Sequence, residues 1–372
     1  MSRSLTARTR KQYLMILTNF CNWKQQLPTE FIEEAEIEQN QNIKLKKRKI
    51  KKDLIRYIRY LKDENKSQNT IYNYISSIKA IYYDNDIIIP RNLPTTLSKD
   101  EILNQEIEKL PELNDVKKLV TVADHRNRAI ILLQLSSGLS SSDIRVLKYR
   151  DFLQALQLPV TRKVNVESVI EELSNADDDE ELIGWWHLKR YKTAVEFTTF
   201  NSPESTRAIL DYLDWRMREN RPITDNDDWL FTTNRNEQLK LSTITLFYKR
   251  LNVKAGFKKR QNKRHLITSH QLREMFSSSL FRKKVDKIRV DSLLGRKINS
   301  QDTAYFRNSP EDLYKEYLKA LPDLTLEKVE IKRVTSKEYE QLLRQNREME
   351  ERIENMEVLM REMAEQLTSG EK

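Results

Sequence analysis

Cysteine, histidine and glycine are scarce in this chain. Its one cysteine, Cys21, leaves no intramolecular disulfide framework and no cysteine-based zinc site. Four histidines, His125, His187, His265 and His270, are too scattered to form a metal-ligand cluster. No metal and no other cofactor is therefore expected. Only 5 glycines occur in 372 residues, with neither a G-x-G-x-x-G nor a G-x-x-x-x-G-K-[ST] run, so a phosphate-cradling nucleotide loop has no support. There is no 18-residue apolar run, and the opening MSRSLTARTRKQYLMILTNF lacks the apolar core of a signal peptide. The expectation is an intracellular protein that does not enter a membrane.

Charge is abundant by contrast. Charged residues make up 33% of the chain against 38% hydrophobic, and the net charge is +10. A polyanionic partner fits that balance, although a charge of this size spread evenly over the surface would need none. The length accommodates two domains with separate cores.

Up to about Pro90 the apolar residues follow helical spacing. Tyr13, Leu17 and Phe20 form one stripe, Leu54, Ile58 and Leu61 a second, and Ile71, Ile75, Ile78 and Tyr82 a third, the last preceded by the capping run Ser67-Gln68-Asn69-Thr70. A basic cluster holds Lys46, Lys47, Arg48, Lys49 and Lys51. Laid along a phosphate backbone it would supply salt-sensitive affinity; otherwise it is a solvated charged loop. Ile87 to Asp115 is rich in proline and charge and reads as a linker with a short helix.

HRNRAIILLQLSSGL follows, an almost wholly apolar helix that should be core, and Gly138 turns the chain into SSSDIRVLKYRDF. Phe152 to Leu182, with its acidic run at Asp177 to Glu181, reads as an exposed insertion. Trp185 to Leu188 and Val195 to Phe200 are aromatic and β-branched around a basic turn, which predicts a hairpin. One of Trp185 and Trp186 should face the core, since neighbours on a strand alternate faces. A second basic cluster, Lys249 to Arg264, includes Lys258, Lys259 and Arg260 and leads directly to His270.

The densest chemistry lies between Ser269 and Asn308. His270 and Arg273 are three apart and share a helix face; Gly295-Arg296 follows, and Tyr305 comes nine residues after Arg296. A histidine, two guanidiniums and a phenol suggest phosphate chemistry with a tyrosine nucleophile. Two guanidiniums would supply the charge that a metal nuclease takes from magnesium. Alone, His-x-x-Arg is a common surface pair and Tyr305 is one of 15 tyrosines; order and spacing carry the weight. Beyond Leu342 the apolar positions run 4-3-4-3-4-3-4 to Leu367, with Asn346 within the seam, which predicts a coiled-coil or docking helix over residues 336–369.

These segments together resemble the tyrosine recombinases, the phage-type integrases, in their Xer-like form. KKDLIRYIRYLKDENKSQNTIYNYISSIKAIYYDNDI is similar to the family's helical, SAM-like core-binding domain. SSGLSSSDIRVLKYRDF resembles its first box, Lys192-Thr193 its hairpin lysine, His270-Gln271-Leu272-Arg273 its second box, and LLGRKINSQDTAYF its third box with the nucleophile. AYFRNSPEDLYKEYLKALPDLT gives an archaeal or proviral flavour. The resemblance implies a mainly α fold with a small antiparallel β-sheet (α+β). It implies a core-binding domain over 1–92, a linker over 93–115, a catalytic domain over 116–330 and the coiled-coil helix.

It further implies site-specific recombination or integration at double-stranded attachment sites through a 3′-phosphotyrosyl intermediate, in a cytoplasmic, nucleoid-associated homo-tetramer. Tyr305 would be the nucleophile, Arg273 and Arg296 would stabilise the phosphate, and His270 would bond a non-bridging oxygen or take the phenolic proton. Lys192 would protonate the leaving 5′ oxygen, with Lys189 and Arg190 as nearby substitutes. Two positions depart from the pattern: Arg296 stands where the family most often has histidine, and Ser140 replaces the first-box arginine. Losing one such donor costs roughly 10²–10³ in rate. Either Arg145 or Lys148 reaches the phosphate from the next helix, or another basic group such as Arg296 carries the charge. Otherwise the chain is a weak enzyme or an architectural DNA binder. A site-indifferent type IB topoisomerase shares the chemistry, but the two-domain layout and oligomerising tail argue against it.

Overall fold

The computed structural model describes residues 6–89, 93, 109–161, 164–174, 179–260, 264–298 and 309–327. The chain divides into two compact units, Met1–Glu108 and Lys109–Lys372. Tyr305 and the heptad segment 336–369 lie outside the described residues, as does most of the linker.

The first unit contains α1 (Ala7–Lys24), α2 (Pro28–Asn40), α3 (Lys49–Asp63) and α4 (Gln68–Tyr83). Thr6 and Ser67 cap α1 and α4 through their hydroxyls, satisfying amides that open a helix without partners. The second and third apolar stripes and Leu17 and Phe20 of the first face one core, which takes Ile16 of α1 in place of Tyr13. There Phe20 meets Tyr57 edge-on at 5.0 Å and Leu54, Ile58, Ile71, Ile75 and Ile78 are buried. Helix α2 carries no such stripe; it buries only Phe31 and Ala35. Proline at its first position suits a helix start, where the missing amide has no partner to lose. Lys24 is buried in an ion pair with Asp53 and also reaches Glu34 at 3.3 Å.

The second unit is built around α6 (His125–Ser137), whose residues 129–137 are buried on every side. Such a helix needs neighbours all round. It packs against α10 (Pro203–Arg218), α12 (Ser269–Arg282) and the strand β2 (Glu196–Asn201), with α5 (Leu113–Thr121) alongside. Asp124 caps its start by accepting from the Asn127 amide at 2.8 Å. Gly138 ends it in the left-handed conformation at φ 66°, and a Cβ there would stand 2.5 Å from Phe276. Glycine is required on both counts. Two short helices follow, α7 (Ser141–Ile144) and α8 (Tyr149–Ala155).

The hairpin forms as expected. Strands β1 (Gly184–Lys189) and β2 (Glu196–Asn201) pair antiparallel in the register Trp186↔Thr199 and Lys189↔Glu196. Trp186 is the core tryptophan and donates to the Asn201 side chain at 2.6 Å, whereas Trp185 is half-buried against Tyr314. Helices α11 (Leu241–Lys254), α13 (Lys287–Leu293) and α14 (Pro310–Ala320) complete the described unit. The architecture is thus mainly α, with one two-stranded antiparallel sheet among the described residues.

One expectation needs correction. The insertion after Phe152 is not simply an exposed elaboration, because helix α9 (Val166–Ser174) buries Val166 and Leu173 in the main core and packs on α10. Val166, Val169, Ile170 and Leu173 follow the spacing of a helix with one apolar face, and all four pack on that core. The acidic residues between them and the acidic run that follows are what suggest an exposed segment. No described helix is long and apolar enough to cross a membrane.

Candidate active site

Helix α12 supplies the first two residues. Thr268 caps it, and three residues of separation place His270 and Arg273 about 60° apart around the axis. That angle straddles the core boundary. Arg273 is buried, with 9% of its surface exposed, while the His270 side chain is 78% exposed and meets Glu274 at 3.1 Å. The pair therefore occupies opposite edges of one helical stripe, one turned inward and one outward.

Two left-handed glycines shape what lies beneath Arg273. Its Nη1 donates to the Gly138 carbonyl, at the end of α6, and its Nη2 donates to the Leu294 carbonyl at 2.6 Å. The turn after Leu294 needs Gly295, at φ 59°, where a Cβ would fall 2.7 Å from Phe197. Arg190, at the hairpin end of β1, donates from Nη1 to that same Leu294 oxygen and to the Gly295 carbonyl at 3.1 Å. Burial, and next the adjacent Arg190 charge, push the Arg273 guanidinium down to about 10; Asp143 opposes the shift and Arg296 adds to it. At neutral pH it keeps its proton.

Asp143 ties the first box to the hairpin. It is buried, accepts from the Ser140 hydroxyl at 2.7 Å and amide at 3.3 Å through Oδ2, and accepts from the Tyr191 amide at 3.1 Å through Oδ1. Lys192 stands exposed in the turn Tyr191–Thr193. Arg296 is exposed beyond Gly295 and pairs with Asp291 at 2.8 Å. Arg273, Arg190, Asp143 and Arg296 therefore form one electrostatic group.

Neither alternative on the helix after the first box joins that group. Arg145 stacks over the Tyr191 ring at 5.0 Å, donates to its hydroxyl at 3.1 Å and to the Leu239 carbonyl at 3.5 Å. Lys148 turns to Asp227 at 2.7 Å and lies over Trp229. Sequence reasoning missed Asp143 as the joint and treated Arg190 only as a neighbour of Lys192. The Ser-x-x-Asp capping pattern signalled the carboxylate's link to Ser140; nothing local signalled its link to residue 191.

The basic clusters divide on burial. Lys46 and Lys47 are exposed and Lys51 half-buried, and Lys49 forms an ion pair with Glu34. Arg48 corrects the expectation of a phosphate contact: it is buried and donates to the Ile43 carbonyl, the Gln39 side chain and the Ile88 carbonyl. Its guanidinium closes the fold of the first unit. In the second cluster Lys258 and Lys259 are exposed, while Arg260 donates to the Lys109 carbonyl at 2.6 Å. Phe247 and Tyr248 are buried, so they build the core instead of offering faces to bases. No group of three or more potential metal ligands occurs among the described residues.

The described second unit is a helical domain with one hairpin, in which Arg190 of the hairpin and the buried Arg273 meet at the Leu294 carbonyl beside the Gly295-Arg296 turn. The model of the phage integrase family matches residues 108–311, more than half of the chain. The chain belongs to that family; it is a tyrosine recombinase, acting in site-specific DNA recombination. The crystal structure of a lambda integrase(75-356) dimer bound to a COC′ core site is 14% identical, with 82% of this chain and 90% of that chain covered and a TM-score of 0.50; the likeness is one of fold. A XerA recombinase crystal structure is 22% identical over 85% of this chain and 92% of that chain, with a TM-score of 0.37. The Tn1549 transposon integrase in complex with a circular intermediate DNA is 16% identical over 72% and 84%, with a TM-score of 0.46. No curated protein sequence matches the chain.

Proposed function

We propose that this recombinase cuts and rejoins attachment-site DNA through a 3′-phosphotyrosyl link to Tyr305. The phenolate oxygen attacks the scissile phosphorus, the bond to the 5′ oxygen breaks, and that oxygen takes a proton from Lys192. The phenolic proton passes to His270 or to solvent. Phosphodiester energy is conserved in the new ester, so a 5′ hydroxyl of a second strand can reverse the step. Charge gathering on the non-bridging oxygens is met by Arg273 and Arg296.

The observation that carries this reading is the buried Arg273, fixed by two backbone carbonyls beneath the Gly295-Arg296 turn. A guanidinium locked in this way loses little freedom on meeting a phosphate, which is how a preorganised site works. Both units contact duplex DNA, residues 1–92 as the core-binding domain and 116–330 as the catalytic domain, and the synaptic assembly is a homo-tetramer. Lys46, Lys47, Lys258 and Lys259 neutralise backbone phosphates.

The test begins with a random-sequence duplex library and recovers DNA bound covalently to the wild-type protein. A nicked duplex carrying the recovered site then serves as substrate. Wild-type protein should form a denaturant-resistant adduct and Tyr305→Phe none. An adduct that survives Tyr305→Phe defeats the assignment of the nucleophile. Specific binding by the wild type with no adduct at all would favour the architectural reading prompted by Ser140.

A further inference from the structure

The position vacated by the first-box arginine has a neighbour of the right chemistry. Asp143 holds the Ser140 hydroxyl with one carboxylate oxygen, at 2.7 Å, and the Tyr191 amide with the other, at 3.1 Å. The hairpin end of β1 is thereby pinned one carboxylate away from Ser140. Arg190, the residue just before that amide, reaches from there to the Leu294 and Gly295 carbonyls.

Arg273 donates to the same Leu294 oxygen. A shared acceptor presses two guanidinium groups together, and like charges at that range repel. Neither forms an ion pair with a carboxylate among the described residues, and Arg190 uses only Nη1 in hydrogen bonds there. Asp143, the nearby carboxylate, commits its oxygens to Ser140 and to the Tyr191 amide. Two half-satisfied cations held side by side by main-chain carbonyls make a receptor for an oxyanion. Fork-shaped donors suit the tetrahedral oxygens of a phosphodiester.

We propose that Arg190 replaces the missing first-box arginine, donating together with Arg273 to the non-bridging oxygens of the scissile phosphate. The inference deepens the strand-transfer reading and rests on it. It also gives the hairpin two tasks: Arg190 at the end of β1 neutralises the transition state, and Lys192 in the turn protonates the leaving group. Arg145 is left to hold Tyr191, and Lys148 stays with Asp227.

Single-turnover adduct formation on the nicked duplex recovered by covalent capture tests this assignment. Arg190→Ala should slow the step by roughly 10²–10³, the loss typical of one such donor, with site binding within about threefold of wild type. The decisive arm uses the same duplex with a methylphosphonate at the scissile position. That linkage lacks the non-bridging charge, so the deficit of the variant relative to wild type should shrink to under about tenfold. Arg190→Lys keeps a charge without the fork and should lie between, which covers the case in which alanine unfolds the protein. Ser140→Arg in the Arg190→Ala background should recover at least about tenfold. An Arg190→Ala rate within threefold of wild type, or an equal deficit on charged and neutral linkages, would overturn the proposal. Tyr305→Phe on the same duplex keeps failure of the nucleophile assignment separate from failure of this one.

Discussion

Identical residue types in this chain have opposite fates, and the surroundings decide which. Arg48 and Arg216 are buried and direct their donors at the carbonyls of nearby turns, so each stabilises a fold. Arg190 and Arg273 also bind carbonyls, but they converge on one oxygen with no carboxylate ion pair among the described residues. Convergence of like charge is the mark of a site, because it costs stability unless an anion arrives. Lys192 differs again, being exposed and on the turn beyond Arg190. Its proposed role as general acid predicts a loss of roughly 10²–10⁴ in cleavage for Lys192→Ala. Replacing the leaving 5′ oxygen with sulfur should erase most of that loss, since a thiolate departs without a proton. A deficit of the same size on both linkages, or a sulfur-suppressed deficit in Lys189→Ala instead, would move the role away from Lys192.

At the scale of elements, position in the fold follows from periodicity where one face is apolar and from neighbours where all faces are. The stripes on α3 and α4 told which sides are buried, and Leu54, Ile58, Ile71 and Ile75 lie in the core accordingly. Helix α6 has no stripe, being apolar all round, and its central place became legible only as an apolar run too continuous for a surface helix. Helices α2 and α9 fully bury two side chains each; α2 gave little signal, whereas Val166, Val169, Ile170 and Leu173 of α9 did keep helical spacing within an acidic segment. Beyond them, residues 336–369 carry a heptad seam with Asn346 inside it, and polar residues at such positions select oligomeric state. Deleting this segment should lower the number of protomers per particle in sedimentation equilibrium, once the mass of the deleted residues is allowed for. An unchanged number of protomers would remove the segment from the assembly.

At the scale of the whole molecule, the net charge of +10 is not evenly available. Arg48 is buried and Lys24 is neutralised by Asp53 and Glu34, whereas Lys46 and Lys47 are exposed. Affinity for duplex DNA should accordingly fall with salt, and the joint change Lys46→Ala, Lys47→Ala should flatten the slope of log K against log salt by roughly 1.8, about 0.9 for each phosphate left without its lysine. A slope unaltered by the pair would place the phosphate-binding groups elsewhere. Arg48→Ala belongs to a different experiment: it removes donors from the Ile43 and Ile88 carbonyls and acts through the stability of the first unit.

The amino-acid sequence alone determined the helices with one apolar face, the hairpin, and the order of His270, Arg273, Arg296 and Tyr305 that marks the family. Those features are local: they depend on caps, periods and spacings within a few turns of chain. The tertiary structure decided which of the many basic groups gather around Arg273. Arg190 and Leu294 meet across more than a hundred residues, and the meeting depends on Gly138, Gly295 and Asp143 each closing a turn at the right place. No period in the chain encodes such a meeting, because it is set by the packing of α6, α12 and the hairpin against one another.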